Sequence, residues 1–137
     1  MKYLLDTNVI SELRRPALVN AGVSKWIADV SLDEVRISVI TLHELEHGTR
    51  KAERNKPDLG LSLRTWMTRV VLPNYLASAL PVTAAIAWRA ADYPRSSQDQ
   101  LPDQLIAATA AEHGLTLITR NVRHMALPGV SLLNPFT

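Results

Sequence analysis

The sequence predicts an α/β fold in which helices cover a parallel β-sheet. Short apolar runs alternate along the chain with longer segments whose apolar residues recur at helical spacing. Strands separated by helices pair in parallel through right-handed crossovers. Polar residues follow the apolar runs, as Asp6 follows residues 3–5 and Asn121 follows residues 115–118. Ligands bind at the edge where parallel strands end, so the same pattern predicts where a functional site lies.

The first half of the chain is predicted to contain two strands and four helices. Helical spacing and terminating residues set the bounds, with Pro16 ending the first helix and Pro73 ending the fourth. Asp6 or Thr7 can cap the first helix. The spacing of Thr41 and Glu44 is that of a capping box. The predicted strands cover residues 2–6 and 36–40, and the predicted helices cover residues 9–15, 19–30, 41–55 and 59–71.

The second half of the chain is predicted to contain two helices and the remaining strands. Thr83 suits the N-cap of a helix over residues 84–93, and residues 95–100 form a polar loop. Pro102 suits the first turn of a helix and Gly114 the position just past its end, which predicts a helix between them. Residues 80–83 are a candidate short strand, and residues 116–119 and 130–133 are the last strands.

The composition is that of a folded protein without thiol chemistry. The chain has 137 residues, of which 47% are hydrophobic, and it has no cysteine, which excludes disulfides and thiolate metal sites. We expect a single domain over residues 1–137. The net charge of +2 is compatible with a nucleic-acid partner without requiring one. Since no signal-peptide pattern or membrane-length apolar stretch is present, the expected location is the cytoplasm.

Three acids and one amide are expected at the carboxyl edge of the sheet, and they are Asp6, Glu44, Asp103 and Asn121. Three carboxylates gathered there cannot all stay ionised without a cation, and Mg²⁺ and Mn²⁺ prefer oxygen ligands. We expect Asp6 and Asp103 to be the metal ligands. Glu44 would hold a water or act as general base, and Asn121 would position a water or a phosphate. The set predicts a hydrolase that uses a hard divalent metal.

Each of these four residues also has a purely local explanation. Asp6 could simply cap a helix, and Glu44 could complete the capping box. Asp103 is an acid in a first helical turn, and Asn121 could be a turn residue after a strand. The functional interpretation therefore depends on all four lying at one edge of one sheet.

A zinc-peptidase pattern overlaps the same segment. Residues 43–47 read His-Glu-Leu-Glu-His and match H-E-x-x-H, in which two histidines on one helix face bind zinc and the glutamate is the general base. Some such families have a third histidine six residues on, where this chain has Glu53. A zinc metallopeptidase on His43, Glu44 and His47 is therefore an alternative, one that leaves the other acids without a role.

The motifs, taken in order, resemble those of the PIN-domain ribonucleases, specifically the VapC-type and FitB-like toxins of bacterial toxin–antitoxin pairs. The order and spacing of the matching stretches extend over nearly the whole chain, so the set is far more specific than any one motif. The stretches are LLDTNVISEL at 4–13, ISVITLHELEHG at 37–48, DQLIAATA at 103–110, LITRN at 117–121 and LNPF at 133–136.

The resemblance implies a three-layer α/β/α PIN-like fold around a central parallel sheet of about four to five strands. It also implies a Mg²⁺- or Mn²⁺-dependent endoribonuclease held inactive by a VapB-type antitoxin, and a homodimer. The family's acids fall on Asp6, Glu44 and Asp103. Its fourth position, often Asp, is the neutral Asn121 here, which favours a single bound metal. The substitution also leaves a non-catalytic PIN-like RNA-binding module as a further alternative.

Several other residues are candidates for substrate or partner contacts. The predicted substrate contacts are Asn8, Arg14, Thr119 and Arg120, with Arg15 and Arg123 also close to the site. The basic run over residues 50–56 is expected to be a solvated helix face, and the three tryptophans are expected in the core. In the resembled family the helices of residues 42–72 form a groove for an antitoxin segment. The interface candidates there are Leu45, Leu59, Leu63, Trp66 and Val70.

Overall fold

The computed structural model describes residues 1–137, and its centre is a four-stranded sheet in which all strands are parallel. The order across the sheet is β2-β1-β3-β4, so the chain starts in the middle and crosses over to both edges. The register pairs Leu5 with Ile118 at the carboxyl end of the two central strands. The strands are β1 (Tyr3–Leu5), β2 (Val35–Arg36), β3 (Thr116–Ile118) and β4 (Ser131–Leu133).

Eight α-helices connect and cover these strands. A π-helical turn at Met67–Val71 joins the fourth helix to the fifth, and short 3₁₀ turns precede three other elements. The helices are α1 (Thr7–Glu12), α2 (Ala21–Ala28), α3 (Val39–Asn55), α4 (Pro57–Trp66), α5 (Leu72–Tyr75), α6 (Ala84–Ala90), α7 (Leu101–His113) and α8 (Val122–Met125). None of these helices has the length and apolarity that a membrane crossing requires.

The sheet has a hydrophobic cluster on each face, which makes the fold three-layered. Successive side chains of a strand point to opposite faces, and Leu4 and Leu5 accordingly lie in different clusters. Leu4 packs with residues of α6 and α7, whereas Leu5 packs with residues of α1, α3 and the π-helical turn. Burial on both faces explains why the strands are apolar without alternation. The predicted α/β/α architecture with a parallel sheet is therefore confirmed.

The predicted strand over residues 36–40 is wrong at its C-terminal end. Only Val35 and Arg36 pair as β2, and α3 already starts at Val39. Ser38 is the N-cap, because its hydroxyl oxygen accepts a hydrogen bond of 3.0 Å from the backbone N–H of Ile40. The Ser38 cap therefore starts a helix, although the β-branched residues around it are typical of a strand. The expected strand at 80–83 is reduced to one parallel bridge between Leu80 and Ser38.

The helix predicted over residues 59–71 is longer than expected at both ends. Pro57 occupies the first turn of α4, where a missing N–H costs nothing. Pro73 does not end the segment, because it lies in the first turn of α5, directly after the π-helical turn. A π turn is a common place for a helix to absorb a lost backbone donor. The apolar face of α4 therefore continues to Tyr75.

The α3–α4 pair is held by one arginine and one glycine. Arg64 of α4 donates to Glu46 and to Glu53 of α3, each at 2.8 Å. A Cβ at Gly60 would lie 2.5 Å from the Cα of Glu53, so the backbones touch here. The basic residues between 50 and 56 are exposed, as predicted.

The tryptophans do not all belong to the core. Trp88 is 86% exposed on α6, so its expected core position is wrong. Trp26 is half-buried and meets the ring of Tyr3 edge-on, with centroids 5.2 Å apart. Trp66 is half-buried beside the second cluster. Helical spacing alone does not separate such positions, because Ala84, Ala85 and Ala87 before Trp88 are also apolar and yet exposed, whereas Ala90 after it is buried.

Candidate active site

Asp6 lies at the end of β1, where its backbone N–H donates to the carbonyl of Ile118. Its side chain is only 3% exposed. Oδ1 accepts from the backbone N–H of Thr7 at 2.8 Å, which makes Asp6 the N-cap of α1. Oδ2 accepts from the Thr119 hydroxyl at 2.7 Å and from the amide of Asn8 at 3.2 Å. Capping of α1 thus accounts for the hydrogen bond to Oδ1, whereas Oδ2 is held by the side chains of Thr119 and Asn8.

The environment of Asp6 has opposing effects on its ionisation. Burial raises the pKa of the Asp6 carboxyl above its ordinary value, and the three hydrogen bonds act in the opposite direction. A buried carboxylate is costly unless it is hydrogen-bonded, paired or bound to a metal. The three donors that converge on Asp6 orient the group, and no cationic side chain forms an ion pair with it.

Glu44 lies in the second turn of α3 and faces the start of α1. Its Oε1 accepts a hydrogen bond of 2.7 Å from the Thr7 hydroxyl. The Thr7 and Thr41 hydroxyl oxygens lie 3.0 Å apart. Thr7 has one hydroxyl proton, and it donates that proton in the hydrogen bond to Glu44. Thr41 is therefore the donor in the hydrogen bond between the two threonine hydroxyls. The capping-box explanation of Glu44 is wrong, because Ser38 caps this helix six residues earlier.

Asp103 occupies the first turn of α7 and is half-buried. Burial is the main cause that raises its pKa, to about 6, and the negative charges of Asp6 and Glu44 raise it further. Acids in a first turn are ordinarily stabilised in their charged form, so burial and the two neighbouring acids together outweigh the effect of the helix N-terminus on the pKa of Asp103. Three acids from segments far apart in the chain therefore lie within electrostatic reach of one another.

Asn121 follows the end of β3 and joins two members of the set. Its Nδ2 donates to Asp103 Oδ2 over a long 3.4 Å, and its backbone N–H donates to the Thr119 hydroxyl at 2.9 Å. It makes no side-chain cap to α8, so the turn explanation accounts for its backbone only. Thr119 is fully buried between Asp6 and Asn121. The Thr119 hydroxyl, predicted as a substrate contact, is engaged by Asp6 and by the backbone N–H of Asn121.

The sequence from residue 3 to residue 129 matches the family described as PIN domain. This chain belongs to the PIN domain family. The toxin FitB of Neisseria gonorrhoeae is 34% identical to it in an alignment of 138 positions, gaps included, that covers 97% of each chain. The VapC ribonuclease Y4jK of Sinorhizobium fredii is 30% identical in an alignment of the same length that covers 97% of this chain and 96% of that protein. The family predicted from the motifs is therefore confirmed.

A solved structure agrees with the fold of this PIN domain. The crystal structure of FitAcB from Neisseria gonorrhoeae superposes with a TM-score of 0.81 at 31% identity, over 97% of both chains.

The donor set of the PIN domain suits a hard cation. The candidate ligand atoms are carboxylate and amide oxygens, the type that Mg²⁺ and Mn²⁺ bind. No three acidic or histidine side chains converge closely enough to form a full metal cage. Mg²⁺ does not need one, since it is usually held by one or two carboxylates and keeps several waters. A centre with Asp6 and Asp103 as ligands and Glu44 farther out fits that description.

The zinc alternative fits less well. His43 and His47 are exposed, and their rings stack nearly parallel with centroids 6.0 Å apart. A catalytic zinc needs three protein ligands, and no third acid or histidine joins this pair. Glu44 faces Thr7 rather than a site between the histidines. In this PIN domain the H-E-x-x-H pattern therefore lacks the geometry of a peptidase.

The arginines predicted near the site lie on its two flanks. Arg14 and Arg120 line a hollow beside Asn8, and Arg14 also donates to the Ser62 hydroxyl at 3.1 Å. Asn8 accepts from the backbone N–H of Arg120 at 3.2 Å. Arg123 lies on the opposite flank, where it lines a hollow together with Asp103. Substrate could therefore approach the acids between two positive borders.

Two threonines belong to the site in addition to the functional residues that the sequence predicts. Thr7 and Thr41 link α1 to α3 and fix Glu44, although the pattern predicted them only as helix caps. Their signal was present in the sequence, since Thr7 directly follows Asp6. Helix capping is a sufficient local reason for a threonine at both positions, so the sequence does not predict that their hydroxyls contact each other and Glu44.

Proposed function

We propose that this PIN domain protein is a metal-dependent endoribonuclease that acts as the toxin of a toxin–antitoxin pair. The observation that carries the proposal is that Asp6, Glu44 and Asp103 lie within electrostatic reach of one another: burial raises the pKa of Asp103, and the charges of Asp6 and Glu44 raise it further. A relative of nearly equal length is named a VapC ribonuclease, which supports RNA as the substrate. The acids do not select RNA by themselves, because metal-assisted hydrolysis needs no 2′-hydroxyl nucleophile.

The proposed roles follow from the hydrogen bonds of each side chain. Asp6 is the anchor of the centre, because Thr119 and Asn8 hold its Oδ2 in one orientation. Glu44 is the general base, since Thr7 occupies Oε1 and leaves Oε2 to take a proton from the attacking water. Both groups are set by partners that do not themselves ionise.

Asp103 and Asn121 complete the proposed centre on its other side. Asp103 is the second carboxylate ligand, and the Asn121 amide steadies it through the long contact to Oδ2. Asn121 is also free to position a phosphate oxygen or a water, because its side chain caps no helix. A neutral residue at this position lowers the negative charge of the site by one, which favours one metal ion over two.

The proposed cofactor is Mg²⁺ or Mn²⁺. When bound, such an ion supplies Lewis acidity toward a phosphate oxygen and lowers the pKa of a water molecule. Asp6 and Asp103 would hold it, and a cation there would offset the two effects that raise the pKa of Asp103, which are its burial and the negative charges of Asp6 and Glu44. The chain's own residues orient the ligands, accept the proton and bring the phosphodiester to the acids.

We propose a VapB-type antitoxin as the partner that silences the site. A groove between α3 and α4 is lined by Leu45, Leu63 and Trp66 and reaches Glu44 at one end. A protein segment bound there would cover Glu44 and exclude RNA. The relation to the toxin FitB supports this role, and we extend it to a homodimer that acts on RNA in the cytoplasm.

A cleavage assay tests the proposal. Purified protein incubated with total cellular RNA should cleave it in Mg²⁺ or Mn²⁺ and not in EDTA. Asp6→Asn should abolish cleavage, whereas Asp58→Asn, an exposed first-turn acid of α4, should leave it unchanged. Cleavage that survives EDTA or Asp6→Asn would reject the proposal. RNA binding without turnover in any divalent metal would favour the non-catalytic module instead.

A further inference from the structure

Two exposed histidines of α3 have no role in the proposed nuclease centre. His43 and His47 are four residues apart on this helix of 17 residues. Residues at that spacing lie on the same face of a helix, one turn apart. Both side chains are exposed, and neither forms an ion pair. Their imidazole nitrogens are therefore accessible to a ligand from solvent.

The spacing of the two rings is close to that required for a shared metal ion. The rings lie nearly parallel, with an interplanar angle of 11° and centroids 6.0 Å apart. Two imidazoles whose nitrogens each lie about 2 Å from one ion have ring centroids about 5 Å apart. The rings of His43 and His47 therefore need to approach by about 1 Å, which rotation of exposed side chains about χ1 and χ2 supplies. The helix backbone does not have to move.

The helical turn that carries the histidines is fixed on its other faces. Leu45 packs in the second hydrophobic cluster. Glu46 is ion-paired with Arg64 of α4 at 2.8 Å. Glu44 accepts a hydrogen bond from Thr7 of α1. Because the helix is held in this way, the two imidazoles are presented together, which lowers the entropy lost when both bind one ion.

The charges around the histidines do not oppose a cation. Residues 43–47 include two glutamates and no lysine or arginine. Glu44 forms no ion pair, so its negative charge is not neutralised by a basic side chain. Arg50 is the first basic residue after this segment, and Glu46 neutralises it at 2.6 Å. Lys51 lies one turn beyond His47, and its long exposed side chain keeps the ammonium group in solvent.

We infer that His43 and His47 form a surface site for one late first-row divalent ion, Ni²⁺, Cu²⁺ or Zn²⁺, with solvent at its remaining coordination positions. Imidazole nitrogens suit these ions, whereas the oxygen ligands of the proposed carboxylate centre suit Mg²⁺. The pair is not a peptidase centre, because it supplies two protein ligands rather than three. The inference does not depend on the proposed nuclease function.

Calorimetric titration with Ni²⁺ tests the site in the untagged full chain at pH 7.5, with Mg²⁺ in excess to occupy the carboxylate centre. One Ni²⁺ should bind per chain. His43→Ala and His47→Ala should each weaken binding by about tenfold or more, because a second ligand on the same helix is lost. His113→Ala is the matched control, since His113 is exposed at the end of α7, and it should bind like the parent. No measurable Ni²⁺ binding, or an affinity unchanged in both α3 variants, would overturn the inference.

Nuclear magnetic resonance locates the bound ion. Paramagnetic Ni²⁺ added below one equivalent should broaden the imidazole signals of His43 and His47 before those of the other two histidines, His113 and His124. Mn²⁺ at the same concentration should not displace Ni²⁺, because it binds nitrogen ligands more weakly. Broadening that starts at His113 or His124 would overturn the inference.

The Ni²⁺ site and the proposed nuclease fail in different experiments. Asp6→Asn should bind Ni²⁺ like the parent although it abolishes cleavage, and His43→Ala should retain cleavage in Mg²⁺ although it loses Ni²⁺. Ni²⁺ binding that is lost in Asp6→Asn and kept in His43→Ala would assign the ion to the carboxylate centre and overturn the inference. Ni²⁺ binding that depends on both α3 histidines, in a protein that cleaves no RNA in any metal, would support this site and reject the nuclease.

Discussion

The Thr119 hydroxyl donates a 2.7 Å hydrogen bond to Asp6, which lies 113 residues earlier in the chain. The same hydroxyl accepts from the backbone N–H of Asn121 at 2.9 Å. Parallel pairing of β1 with β3 places these residues side by side at the carboxyl edge. The buried Thr119 hydroxyl therefore links Asp6 to Asn121, and the Asn121 side chain in turn contacts Asp103.

Thr119→Val should weaken both cleavage and folding, because it keeps the shape of the side chain and removes the donor to Asp6. Loss of this bond leaves a buried carboxylate with two donors, at a cost of about 1–3 kcal/mol in the free energy of unfolding. It should also raise the pKa of Asp6 further and weaken metal binding. Thr119→Ser should restore cleavage and metal affinity. Urea unfolding and Mn²⁺ titration measure both effects, and a valine variant with normal metal affinity would contradict this role.

Thr7 should act on turnover through Glu44 rather than on metal binding. Thr7→Val removes the hydrogen bond to Oε1 and frees the glutamate to rotate, so kcat should fall about tenfold to a hundredfold, the range of a misplaced general base. Mn²⁺ affinity should stay within about twofold, and Thr7→Ser should rescue kcat. Steady-state kinetics on one defined RNA would detect the split. A loss of metal affinity as large as the loss in kcat would assign Thr7 to the ligands instead.

Asp103 should destabilise the metal-free protein at neutral pH. Its pKa rises on folding to about 6, so the folded state is favoured while Asp103 is protonated, and that stability is lost as pH rises from about 4 through about 6. Asp103→Asn should therefore raise the free energy of unfolding in EDTA at pH 7.5, by about 1 kcal/mol after allowance for solvent screening.

The gain from Asp103→Asn should vanish below about pH 4, where both unfolded and folded carboxyls are protonated. Asp58→Asn, also in a first helical turn but exposed, should show no such gain. Added Mg²⁺ should stabilise the parent more than the variant, since a ligand that binds the folded state raises stability. A variant less stable than the parent in EDTA at pH 7.5 would contradict a raised pKa of Asp103 in the folded protein.

Two glycines of the α3–α4 pair should respond in opposite directions to alanine. Gly48 lies inside α3, and a Cβ there would meet nothing within 4 Å, so Gly48→Ala should stabilise the protein by up to about 1 kcal/mol through helix propensity. Gly60→Ala should destabilise it, because the new Cβ would lie 2.5 Å from the Glu53 Cα. Thermal unfolding of the two variants compares them directly, and equal shifts in Tm would contradict the packing described here.

Much of the fold could be predicted because its determinants are local. Gly114 adopts the left-handed conformation expected just past a helix end, with φ of 65°. The apolar strands were found from their alternation with helices. Residues 37–40 were assigned to a strand because their β-branched side chains are typical of one, whereas the Ser38 cap and the bridge to Leu80 decide the outcome.

The sequence predicts which residues form the candidate site but not which hydrogen bonds join them. Positions after apolar strands indicated Asp6 and Asn121, because strand ends converge whatever the rest of the fold does. The partners of Glu44 were missed, since they depend on how α1 packs against α3 across 37 residues of sequence. The contact of Phe136 with Arg120 is unpredictable for the same reason, because it brings the last residues of the chain beside a loop after β3.

The central claim is that Asp6 and Asp103 hold one hard divalent ion at the carboxyl edge of the sheet. Anomalous diffraction from a crystal of the protein grown with Mn²⁺ tests it most directly. We expect a single strong peak contacted by carboxylate oxygens of Asp6 and Asp103, with Glu44 nearby. A peak between His43 and His47, or Mn²⁺ bound anywhere that leaves Asp6 without contact, would contradict it.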